Sequence, residues 1–342
     1  MGRYYVASDS NDERDGIYLV DAEGETARRV ARCGRPSSLA WHPTHRLLFG
    51  IGCGANDQLL VWRPRVDGSL ELVHVRSLTG EGSCALEVDP RAEAVYVTHY
   101  QSGSVSRVAL DRAGTPGEHT LIELTGSRPD PVRQPMSHPH HVRVLSSGRV
   151  LVTDLGADRG WLVDARAFAL TSSIQLPSGS GPRHAVELPD GRVAFCGELD
   201  QTVVVVSADG QESVVCPSTQ RTSDERNYPS DLVCHPDRDD TSVIIIANRG
   251  TNSLMTFRVD AGGVAPIAEV DSAGQWPQSL ELNGMQLAVA NRDSDRVSFF
   301  QTGRPDASPA YSSFVTVPHP VWVISAHHPV LSQRTTEQGA TL

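Results

Sequence analysis

The chain has 342 residues and a formal net charge of −11, and this acidic balance argues against nucleic acid as a partner, because a phosphate-binding face shows as a basic excess. All 30 basic residues are arginine, so a Walker-type phosphate loop and every mechanism through a lysine Schiff base, pyridoxal phosphate chemistry included, are excluded. The length suits two average domains or one large all-β domain; 29 glycines, 22 prolines, only 4 methionines and no sustained helical period favour the second.

Met1-Gly2-Arg3 runs directly into the strand-like Tyr4-Tyr5-Val6-Ala7 without an apolar leader, and no stretch approaches the ~18 apolar residues of a membrane span. Cys33, Cys53, Cys84, Cys196, Cys216 and Cys234 show no C-x-x-C spacing and read as free thiols in a reducing compartment. The expectation is a soluble cytoplasmic protein with no membrane partner; nothing in the chain sets its oligomeric state.

From residue 36 onward one unit recurs. Its first half is an anchor followed by a short apolar strand: Pro36-Ser37-Ser38-Leu39, Ser83-Cys84-Ala85-Leu86, Pro139-His140-His141-Val142, Pro182-Arg183-His184-Ala185, Pro229-Ser230-Asp231-Leu232, Pro277-Gln278-Ser279-Leu280 and Pro320-Val321-Trp322-Val323. The anchors stand 43 to 56 residues apart, close to the period of four-stranded propeller blades. The second half is another apolar strand, a turn and a further strand, as in Val152-Thr153-Asp154-Leu155 or Ile246-Ala247-Asn248-Arg249.

Only about twenty residues follow Pro320, too few for a full unit, and the missing strands match Tyr5 to Asp9, GIYLVDA and ARRVA at the other end. The predicted fold is therefore an all-β, seven-bladed propeller of four-stranded antiparallel blades, one domain over residues 1–342, its last blade shared between the termini so that no sheet edge is exposed. Two insertions, 126–137 and 217–228, lead into first strands and should overhang the same mouth of the channel.

In a propeller the residues just after each anchor and those ending each second strand ring that mouth. The first ring reads Ser37, Cys84, His140, Arg183, Ser230, Gln278, Val321. The second is expected to read Ser8, Gly52, His99, Asp154, Glu198, Asn248, Asn291, followed one residue later by Asp9, Cys53, Tyr100, Leu155, Leu199, Arg249, Arg292. Arg183 and Glu198 flank one predicted hairpin, which sets them at the same sheet edge. His140, Arg183, Glu198 and Arg249 form a group suited to attack on an ester carbonyl: a carboxylate or imidazole takes a proton from water, and guanidiniums bind an oxyanion or a carboxylate. His138, His140, His141 and His184 also suggest a metal, but strand alternation sends His140 and His141 to opposite faces, so no metal and no cofactor are assigned. Asp154 and Asp158 read as turn-shaping residues. No G-x-S-x-G, H-E-x-x-H or G-x-G-x-x-G motif is present.

Arg133-Gln134 with His138-Pro139-His140, Asp154-Leu155-Gly156-x-Asp158, Gly181-Pro182-Arg183-His184, Glu198-Leu199, Asn248-Arg249-Gly250 and Ser102-Gly103-Ser104-Val105 together resemble the seven-bladed lactonase family, which includes propeller-type 6-phosphogluconolactonases and carboxy-cis,cis-muconate lactonising enzymes. The resemblance runs in order from about residue 36 to 325. It implies a metal-free site of His140, Arg183, Glu198 and Arg249 acting on a small sugar-derived or anionic lactone, with Glu198 or His140 as base. His138, Gln134, Arg133, Tyr100, His99, Asp154, His184 and Arg292 are the expected substrate-binding residues, and Arg133, Arg249 and Arg292 can meet a phosphate. His99 and His141 depart from the family's usual residues. The leading expectation is lactone hydrolysis; a lactonising or cyclising isomerase and a non-catalytic binding propeller are the alternatives.

Overall fold

A computed structural model of the chain describes residues 2–236, 241–303 and 308–328; Met1 and the end of the expected domain at 329–342 lie outside the described residues. Each recurring unit forms a four-stranded antiparallel sheet, and seven such sheets stand in a ring. The blades run over residues 36–77, 83–123, 139–175, 182–217, 228–271 and 277–316, with the seventh made of Pro320–Ser325 paired to Arg3–Ser8, Gly16–Asp21 and Thr26–Ala31. Six of the seven first strands begin at their anchor, and the fifth begins one residue earlier, at Tyr228. Proline suits that position, because the first residue of a strand need not donate to the ladder. Pairing of Tyr4 with Ser325 and of Tyr5 with Ile324 closes the ring by joining the two terminal fragments in one sheet.

The core is distributed in the same way. Seven buried apolar clusters each lie between two neighbouring blades: Val186, Cys196 and Val203 of the fourth blade, for example, pack on Ile244, Met255 and Phe257 of the fifth. The valine- and isoleucine-rich middle strands suit this setting, since a sheet buried on both faces selects β-branched residues throughout. Along the channel wall, side chains two residues after an anchor take a backbone N–H from the next blade. Ser38 Oγ accepts from Leu86 at 3.2 Å, His141 Nδ1 from Ala185 at 3.4 Å, Asp231 Oδ2 from Leu280 at 2.8 Å and Ser279 Oγ from Val323 at 3.4 Å. Glu87 and Glu281, lower in the wall, accept from Val144 and Ser325 in the same sense.

One irregularity recurs in every blade. Just after each anchor, two residues of the first strand oppose one on the second: His140 is skipped between the Pro139–Asp154 and His141–Thr153 pairs, and Cys84, Ser230, Gln278 and Val321 are skipped likewise. Residues 37–38 and 183–184 each face a single partner. A β-bulge releases the extra residue from pairing and re-aims its side chain. In this ring it aims at the channel.

Candidate active site

The bulged positions converge on a cavity of about 530 Å³ at one mouth of the channel, lined among others by Ser37, Cys84, His140, Arg183, His184, Gln278, Val321 and Trp322. Ser230 is drawn instead into the blade junction, where its hydroxyl donates to Pro277 O at 2.5 Å. His184 lies 5.4 Å from His140 and stacks on His141 at 4.4 Å, while the neighbours His140 and His141 line two different cavities, His140 the mouth and His141 a second one with Asp231 and Leu280. No three His, Cys, Asp or Glu side chains among the described residues are arranged to hold a metal ion.

The second ring follows its expected reading at six blades, where Ser8, Gly52, His99, Asp154, Asn248 and Asn291 pair with their anchors, and departs from it by one residue at the fourth. Pro182 pairs with Gly197, the counterpart of Asp154, Asn248 and Asn291, so Glu198 falls in the next column with Tyr100, Arg249 and Arg292. This shift matters chemically. The residues that do pair with anchors are fully buried and make framework bonds: His99 bonds Ser83 Oγ and Ser106 Oγ within its blade, and Asn248 donates to Ser218 O in the insertion before its blade. Asp154 accepts from the backbone of His138, Gly156 and Ala157 and from Trp161 Nε1. His99 and Asp154, expected to bind substrate, thus belong to the framework. Gln134 does too: it is fully buried and donates to Leu155 O at 2.8 Å and Asp158 Oδ1 at 2.6 Å, pinning the 126–137 insertion.

The next column carries the charge. Glu198 Oε1 accepts from Arg133 Nη2 at 2.5 Å and Oε2 from Arg249 Nη2 at 2.6 Å, while Arg183 Nε stands 3.3 Å from Oε2 but is misaligned and makes no hydrogen bond. Arg183 reaches Ser230 O through Nη1, and Arg249 reaches Tyr228 O at 3.0 Å through Nε. One carboxylate therefore holds three guanidiniums, which leaves a positive excess beside the cavity. Burial pushes the Glu198 carboxyl up, yet Arg249, Arg183 and Arg133 together outweigh it and bring its pKa down to about 2. Burial also lowers Arg183, to about 10, with Arg249 adding to the effect; it stays charged. His140 and His184 are held well below the usual imidazole range by burial and then by Arg183, so both are neutral. Three buried polar atoms on this wall lack any hydrogen-bond partner: His140 Nδ1, Arg183 Nε and Gln278 Oε1.

Both insertions overhang this mouth. The first brings Arg133 to Glu198, and the second sends Arg226 to Leu199 O. Tyr100 stacks on His138 at 4.4 Å and meets His140 edge-on at 5.7 Å, and His138 Nδ1 bonds Tyr100 O, so His138 braces the wall behind His140. Arg292 lines the cavity, and the Trp276 ring lies between it and Arg249, 5.3 Å from each guanidinium carbon. The sequence reading passed over Trp276, Arg35 and His319. All three immediately precede an anchor and take positive φ values of 59°, 43° and 36°, a left-handed conformation uncommon outside glycine. Their position before Pro277, Pro36 and Pro320 was the available signal.

The family described as "Lactonase, 7-bladed beta-propeller" matches residues 3–325. Among curated relatives, the 6-phosphogluconolactonase of Bacillus subtilis (strain 168) is 25% identical, covering 94% of this chain and 98% of its own, and that of Pectobacterium atrosepticum is 25% identical over 83% of each. Among solved structures, the Pseudomonas aeruginosa periplasmic gluconolactonase superposes with a TM-score of 0.86 at 21% identity, covering 96% of this chain and 99% of that one. A protein from Lactobacillus plantarum gives 0.84 at 21% identity over 94% and 98%. With a match running through all seven blades, the chain belongs to the lactonase family of seven-bladed β-propellers.

Proposed function

We propose that the protein opens a sugar-derived lactone by attack of water at the 530 Å³ mouth cavity. The observation that carries this reading is the set of three guanidiniums gathered on Glu198 at a wall with unpartnered polar atoms, Arg183 Nε among them. Such donors suit a carbonyl oxygen that gains charge as water adds. Between the two bases left open by the sequence, Glu198 is the poorer: both its oxygens are engaged and its pKa lies near 2. Its work is to hold Arg133, Arg183 and Arg249 in place, and the proton shed by water goes to a neutral imidazole, with His140 against the substrate.

The curated relatives named above favour a 6-phosphorylated lactone. Arg133 and Arg249 hold Glu198 outside the cavity lining, whereas Arg292 and Arg35 are on the cavity wall, each beside a surface carboxylate, Asp293 and Asp9, with which a phosphate competes. All six cysteines are unpaired, in keeping with work in a reducing compartment. The test is a proton-release assay on six-carbon aldonolactones with and without the 6-phosphate. Arg183→Ala is expected to lose ~10²-fold or more in kcat, the scale for one oxyanion donor, and Arg292→Ala to raise KM for the phosphorylated lactone alone. Full hydrolysis by Arg183→Ala would overturn the reading, and cyclisation of a muconate-like acid with no lactone opening would replace it by the isomerase.

A further inference from the structure

Behind the three-arginine group lies a buried carboxylate and imidazole that the reading above leaves without a task. His184 is 2% exposed and Asp231 8%, and His184 Nδ1 stands 2.8 Å from Asp231 Oδ1. The carboxylate is itself anchored, taking the N–H of Leu280 at 2.8 Å on Oδ2 and that of Leu232 at 2.9 Å on Oδ1. Acceptor-only oxygens opposite Nδ1 place the imidazole proton on Nδ1 and leave a lone pair on Nε2. Among the described residues nothing hydrogen-bonds Nε2, and His184 lines the mouth cavity next to His140 and Arg183. The ring cannot easily turn, since it stacks on His141 at 4.4 Å and 16° and Trp322 lies 5.9 Å away. His140 lacks this support: its Nδ1 is buried with no partner to set its proton.

We propose that His184 is the general base of the lactonase reaction, with Asp231 as its positioning residue, an inference that rests on the hydrolytic reading above. Water forms its bond to the lactone carbonyl carbon as one of its protons passes to His184 Nε2. The carbonyl oxygen gains the electron pair of the C=O bond and is held by Arg183. Collapse of this adduct restores the C=O bond, breaks the ring C–O bond, and returns the proton from the imidazolium to the departing ring oxygen, giving the open hydroxy acid. Asp231 keeps the tautomer that can accept a proton and faces the imidazolium while it exists, the logic of a base oriented by a third group. His140, which lines the same cavity, then serves as a substrate contact.

The experiment is steady-state kinetics on an aldonolactone that the wild type opens, with His184→Ala, Asp231→Asn, the double variant and His140→Gln, each first shown to be folded by circular dichroism and melting. His184→Ala is expected to lose ~10²–10⁴-fold in kcat, the range of general-base catalysis, with KM within threefold, and added imidazole to restore part of the rate. Asp231→Asn should lower kcat at least tenfold in the presence of His184 and cost nothing further on the His184→Ala background. Retention of kcat within threefold by folded His184→Ala, or equal losses from Asp231→Asn in both backgrounds, would overturn the assignment. Should His184→Ala not fold, Asp231→Asn alone decides, a kcat within threefold of wild type refuting it. A wild type inactive on every lactone would instead remove the hydrolytic reading and this inference with it.

Discussion

Glu198 shows how far surroundings decide what a side chain does. An isolated buried carboxylate takes up a proton; this one, against Arg249, Arg183 and Arg133, does so only near pH 2. Its folded-state pKa lies below its ordinary 4.5, so the stability it contributes is complete above pH 4.5 and is lost as pH falls through 2. Urea unfolding between pH 5 and pH 2.5 should reveal this as a loss on the order of 2 kcal/mol that Glu198→Gln no longer shows. At pH 7 that variant, with three guanidiniums and no counter-charge, should be less stable by about 3 kcal/mol or more. The Arg183–Glu198 pair was legible in the sequence because a hairpin returns its flanks to one edge. Only the fourth place of the second ring was misjudged, by one residue: Gly197, with no side chain to mark it, pairs with Pro182, and Glu198 follows it. Asp231 went unnoticed for a related reason: two residues beyond an anchor it reads as an ordinary wall position, and its bond to His184 spans blades 47 residues apart in sequence.

At the scale of the strand, the blades are joined to one another more uniformly than their sequences suggest. Serine, histidine, aspartate and glutamate all perform one task, accepting an N–H from the next blade, so the tie is invisible to any search for a repeated residue. Glu281 performs it at a cost. Burial raises its carboxyl from an ordinary 4.5 to about 7, so the folded state keeps a proton that the unfolded chain releases, and stability falls as pH rises from 4.5 through 7. Glutamine can accept the same bond from Ser325 without that penalty. Glu281→Gln should therefore unfold like wild type at pH 4 and be more stable by roughly 1–3 kcal/mol at pH 8, measured by paired chemical denaturation at the two pH values. A fall in stability at pH 8 would show that the charge is held by the wall and not tolerated by it.

At the scale of the whole molecule, the seven interfaces replace a single centre, and the ring stands only while every interface is closed. This architecture was the most legible feature of the chain, since a period repeated seven times averages out local ambiguity and the short last unit is complemented by the first strands. Removal of Arg3–Ser8 would separate Gly16–Asp21 from Pro320–Ser325 and bare both as edges. That truncation should appear as oligomers or aggregate in size-exclusion chromatography and lose the cooperative melt, whereas trimming within the last residues before Arg3 should leave both unchanged. The bulges have a separate consequence at this scale. A residue released from pairing bears no share of the ladder, so the identities in the ring at the mouth can change without re-registering a strand. The present set places histidine and arginine on one arc and serine, cysteine and valine on the other, giving the mouth a gripping side and an open side. Exchanging residues among these positions alone should re-aim the grip around the rim while the barrel of blades beneath it stays as it is, which makes selectivity in this protein separable from its folding.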